Sequence, residues 1–149
     1  MSDTARVLMT AAVLVASATG FFAWRLGQLD PSGPQRLVGC LRLAQWAALL
    51  LAASGAVSLG LAVAQEGMPS GTIEVTLGFA FVLVGGLVLT REPREALLLA
   101  AAGFLAHALV DIAHRPGLLE PGLTPRWYAV GSAVFDLYLA AACYWARRR

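Results

Sequence analysis

Leu43–Gln65 reads LAQWAALLLAASGAVSLGLAVAQ, with no charged residue and only two serines and two glutamines for polarity. A hydrocarbon core of about 30 Å takes roughly 20 apolar residues as a helix. Backbone amides in lipid must bond to one another, which leaves helices and closed barrels as spanning structures. Ala and Leu dominate here, and no β-branched residues alternate with polar ones as in a membrane barrel. The segment therefore reads as a transmembrane helix.

The same pattern extends to both sides. Seven prolines fall in four clusters: Pro31 and Pro34; Pro69; Pro93; and Pro116, Pro121 and Pro125. Proline breaks helices, so the clusters mark connections. They separate apolar segments at about 7–24, 43–65, 72–90, 96–113 and 127–146. The expectation is an all-α, polytopic bundle of five spans, forming one transmembrane domain over residues 1–149. Four spans would remain if the first were a signal peptide cleaved after Ala16-Ser17-Ala18. Against cleavage, apolar sequence continues through Phe21, Phe22 and Trp24.

Composition agrees. The chain has 149 residues, 58% of them hydrophobic and 13% charged, with a mean hydropathy of +0.70. Soluble domains are nearer 45–50% apolar and about 25% charged. A chain this short cannot bury such an excess in an aqueous core. The composition argues against a soluble enzyme, a disordered protein and a nucleic-acid binder, and the bilayer is the first partner. All eleven basic residues are arginine, so lysine-based chemistry and a phosphate-binding P-loop are excluded as well. Cys40 and Cys143 form no C-x-x-C and read as small apolar helix residues.

Arginine placement orients the spans. Five spans put Arg25, Arg36, Arg42, Arg91, Arg94, Arg147, Arg148 and Arg149 on one side, against Arg6, Arg115 and Arg126 on the other. The positive-inside rule makes the first side cytoplasmic, with the N-terminus outside, as in a bacterial plasma (inner) membrane. Trp24, Trp46, Tyr144 and Trp145 fall at the inner boundary, and Trp127 and Tyr128 at the outer one. Small residues in the second, third and fourth spans (Ala52, Ala53, Gly55, Ala56; Gly78, Gly85, Gly86; Ala100–Gly103) suit close helix packing. Such faces also fit a homo-oligomer or membership of a larger membrane complex.

Chemistry is concentrated in the ionisable residues inside the spans. A carboxylate near the bilayer centre costs roughly 2.5–3.5 kcal/mol on insertion scales. The fourth span carries His107-x3-Asp111-x2-His114, which a helix places on one narrow face. Asp136 lies at a depth similar to that of His107 on the next, antiparallel span. Ser132, one turn earlier, is within reach of it. Glu74 enters the third span from the same side, where Glu66 closes the second. These residues are expected to converge in the outer half of the bundle. Two imidazoles and several carboxylates suit zinc, non-haem iron or manganese. His107, Asp111, His114, Asp136 and Glu74 are thus candidate metal ligands in a pocket for a cation or polar headgroup. Such a metal would serve a lipid-like substrate. A packing network within an accessory subunit and a proton or cation relay stay open as alternatives. The proline-rich connection Pro116–Pro125 is either a turn-rich loop or a cap over the pocket. Haem is disfavoured, since both histidines lie on one helix.

His107, Asp111 and His114, followed by Pro125-Arg126-Trp127-Tyr128 and Asp136, resemble small bacterial integral-membrane proteins. Those proteins carry His-x3-Asp-x2-His on one helix and Asp on the last. The resemblance covers the C-terminal third. Arg115 stands where such relatives often have a further histidine. The resemblance implies a membrane location and a polar site, and names no reaction.

Overall fold

The computed structural model describes residues 3–64, 71–113 and 126–148. It contains helices α1 (Asp3–Gly27), α2 (Pro34–Ala64), α3 (Gly71–Val88), α4 (Pro93–Ala113) and α5 (Arg126–Arg148) and, among the described residues, no strand. Four of the helices are long and apolar enough to cross a membrane, and α3 is the shorter one, with its apolar part at Ile73–Val88. The protein is a membrane-embedded helical bundle.

Two helices start earlier than the apolar segments suggest. Pro34 and Pro93 open α2 and α4 instead of lying in the connections. Proline fits a first helical position, where its missing N–H leaves no bond unmade. The chain between α1 and α2 is consequently short. It turns through Asp30, whose carboxylate accepts the Ser32 N–H at 2.9 Å and the Ser32 hydroxyl at 2.8 Å. At the other tight connection, Leu89, Thr90 and Arg91 each donate to the carbonyl three residues back, and Ala96 donates to Glu92 at 2.8 Å to begin α4.

The packing alternates in direction. An added Cβ at Gly55 would meet the Gly78 carbonyl at 2.5 Å, and one at Gly85 would meet the Ala48 carbonyl at 2.9 Å. α2 and α3 are therefore antiparallel and approach backbone to backbone, as small residues permit in membranes. Gly103 faces Val84 and His107 meets Phe81, so α4 runs antiparallel to α3. Gly20 faces Tyr138 and Gly27 faces Trp145, so α1 and α5 run parallel. α3 thus reverses the chain within the same levels as its longer neighbours. The expected small-residue faces are only partly contacts: Ala53, Ala56, Gly86 and Ala102 are exposed.

One arginine ties the arginine-rich end together. Arg36 is buried, and its guanidinium donates to the carbonyl of Leu26 on α1 and, at 2.9 Å, to that of Ala146 on α5. Carbonyls in the last turn of a helix lack intrahelical partners, and a cation there also suits the helix dipole. Trp46, expected at the boundary, lies about 18 Å along α2, where its indole N–H donates to Thr19 Oγ1 at 3.0 Å.

Candidate functional site

The fourth and fifth helices bring their ionisable groups together. His107 Nδ1 lies 2.6 Å from Asp136 Oδ2 and 3.7 Å from Asp111 Oδ2. The first is a short hydrogen bond between helices, and the second is an ion-pair distance one turn along α4. His107 and Asp136 are buried, Asp136 completely. The His107 ring also packs edge-on against Phe81 of α3, with ring centroids 4.6 Å apart.

Local sequence explains the convergence. Asp111 follows His107 by four residues, so one rotation of α4 turns both inward. α5 meets that face with Asp136, and the neighbouring buried alanines, Ala108 and Ala133, are small enough to let the polar groups meet. One donor atom from each of His107, Asp111 and Asp136 can be chosen so that all lie within 4.8 Å of one another. This is a donor set of one imidazole and two carboxylates, suited to a hard or borderline divalent cation.

Asp136 is not saturated by its partner. Its Oδ1 makes no hydrogen bond with a described residue, although Ser132 stands one turn away and within reach of the carboxylate. Buried polar atoms without a partner are rare and call for a cause, such as a bound ion.

The remaining candidates divide. Glu74 is close enough for its charge to act on His107, but it is outside the three-residue cluster. His114, Glu66 and the Pro116–Pro125 connection lie outside the described residues. Tyr128, read from sequence as an interface residue, is half-buried near the start of α5. It stands two turns before Asp136 on α5, a spacing that could have flagged it. The acidic residues are also less one-sided than the apolar segments suggest, because Glu95 occupies the first turn of α4 at the arginine-rich end. It is exposed there, so burial, rather than position, separates it from Asp136.

No family model matches the chain, and neither a curated protein nor a solved structure shows significant similarity to it. The class supported by fold and site is a multi-pass membrane protein with a buried His/Asp cluster.

Proposed function

We propose that the protein binds a small cation, of the zinc, manganese or iron(II) kind, at His107, Asp111 and Asp136 in the outer half of a bacterial plasma membrane. One observation carries the proposal. A fully buried carboxylate, Asp136, keeps one oxygen unbonded beside a second carboxylate and a shared imidazole. Burying charge without compensation is costly, and a cation supplies the compensation. The 2.6 Å contact describes the proton-bridged pair. Neighbouring donors around a tetrahedral metal stand about 3.3 Å apart, so metal entry would release that proton and part the pair slightly. The arginine-rich end faces the cytoplasm on this reading. A metal held at the cluster would act as a Lewis acid toward a lipid-like substrate with a carbonyl or phosphoryl oxygen.

Metal analysis of detergent-purified protein tests this, after exposure to zinc, manganese or iron(II) and removal of the excess. One equivalent is expected in the wild type. His107→Ala and Asp136→Asn should each weaken binding by more than the roughly 10–100-fold typical of second-shell changes. A wild-type protein that retains none of these metals overturns the proposal.

A second reading has its own support in the short His107–Asp136 hydrogen bond. On that reading the pair only pins α4 to α5, as in an accessory subunit of a membrane complex. The two readings differ in what removing the pair does to stability, as developed below.

A further inference from the structure

Burial changes character at the level of the His107 cluster. On the arginine-rich side, Phe104 and Leu139 lie three residues from the cluster, and they, Leu51, Leu97 and Cys143 are essentially without exposure. They belong to one continuous apolar core whose fully buried members reach no farther than Phe81 toward the other end, with only the partly buried Leu77 and Val110 packed against it beyond. On the far side of the cluster, the buried apolar residues among those described are Ala5, Ala62, Ala108, Ala129 and Ala133, all alanines.

The polar residues follow the opposite gradient. Along α5, Tyr128 and Ser132 are half-buried and Asp136 is fully buried. Each step is one helical turn, about 6 Å. Along α4, Asp111 is half-buried and His107 buried. His107 Nδ1 lies 3.7 Å from Asp111 and 2.6 Å from Asp136, and helical spacing puts Ser132 and Tyr128 one and two turns beyond Asp136 on the same side of α5, so the two ladders share one seam between the helices. Hydroxyls and carboxylates give water the two to four polar partners it needs, whereas an apolar layer stays dry.

We infer that the α4–α5 seam is a hydrated path with a single mouth. A small hydrated cation enters past Tyr128 and Ser132, sheds water against them, and ends at His107 and Asp136, where the Phe104–Leu139 layer closes the way to the arginine-rich side. The inference rests on the cation-site reading for its occupant. It makes the site a blind one, loaded and emptied from one face, and it opposes a proton or cation relay through the bundle.

Thiol accessibility in sealed membrane vesicles of both orientations tests the path. Ser132→Cys, Tyr128→Cys and Leu139→Cys are each made in the full-length chain, and a charged, membrane-impermeant methanethiosulfonate reagent is applied from one side at a time. The wild type, whose two cysteines are buried, gives the baseline. Ser132→Cys and Tyr128→Cys should react from the face opposite the arginine-rich end, with complete loss of reactivity from the other. Leu139→Cys should match the wild type from both. Reaction of Leu139→Cys, or of Ser132→Cys from the arginine-rich face, means a continuous channel and overturns the inference. So does silence of both Ser132→Cys and Tyr128→Cys from either face, since one of them alone could be lost to misfolding. No cation is added, so failure of metal binding would remove the proposed occupant and leave this result standing.

Discussion

The arginine-rich half of the bundle and the half beyond the His107 cluster are held by different means. In the first, bulky side chains such as Phe104, Leu43, Leu51 and Leu97 are fully buried, and Arg36 caps two helices at once. In the second, the buried side chains among the described residues are alanines and ionisable groups. Lipid tails are as apolar as leucine, so a membrane protein gains little by hiding leucine from them, and close van der Waals contact supplies the gain instead. Stability should therefore reside in the packed half. The polar half spends some of it on a site, as strained or charged functional regions commonly do.

The largest expected effect lies in the packed half. Phe104→Ala should destabilise the protein by about 3 kcal/mol, the low end of the range for a buried Phe→Ala change. The transfer part of that range shrinks in a bilayer, while the cavity part remains. Unfolding in detergent micelles measures it. A loss below about 1 kcal/mol would show that this half is not where packing holds the bundle.

The next experiment addresses the polar half directly. Replacing His107, Asp111 and Asp136 together by leucine removes the buried polar cluster together with its desolvation cost. Such replacements are often neutral or stabilising by about 1–4 kcal/mol in soluble proteins. The expected outcome is unchanged or raised stability with complete loss of metal binding. A destabilisation comparable to that of Phe104→Ala would instead favour the pinning role. Asp136→Leu alone cannot decide this, since it leaves His107 without its partner.

The contrast between the halves was only partly legible in the sequence. Helix content and number follow from hydropathy and proline, because lipid forces every backbone group into a helix. The meeting of His107, Asp111 and Asp136 follows from helical spacing and the antiparallel order of neighbouring spans. Arg36 was not legible as a buried cap. It looks like one more positive-inside arginine, and only the three-dimensional meeting of α1, α2 and α5 ends places carbonyls around it. The start of α2 at Pro34 is hidden in the sequence for a related reason. A proline that ends one helix and a proline that begins another look alike until the bonds around Asp30 are seen. Tyr128 suits the interface by its depth, and helical spacing also sets it two turns before Asp136 on α5, which hydropathy alone does not reveal.

The smallest expected effect concerns a carboxylate at the arginine-rich end. Asp30 is exposed to water, and hydrogen bonds from the Ser32 N–H and hydroxyl hold its carboxyl below the ordinary aspartate range. A group whose pKa is depressed by folding stabilises above its unfolded value and loses that contribution as the pH falls through its folded value. For Asp30 the window lies below the unperturbed value of 3.8. Asp30→Asn keeps an acceptor oxygen for Ser32 but removes the charge. The variant should match the wild type at neutral pH to within the resolution of a melting curve, and its stability should lose the Asp30 share of the acid-side slope. Its metal binding should be intact, because the turn and the His107 cluster lie at opposite ends of the packed core. If Asp30→Asn impaired metal binding as Asp136→Asn is expected to, the two carboxylates would be coupled through the bundle. The separation between a packing half and a site half would then be wrong.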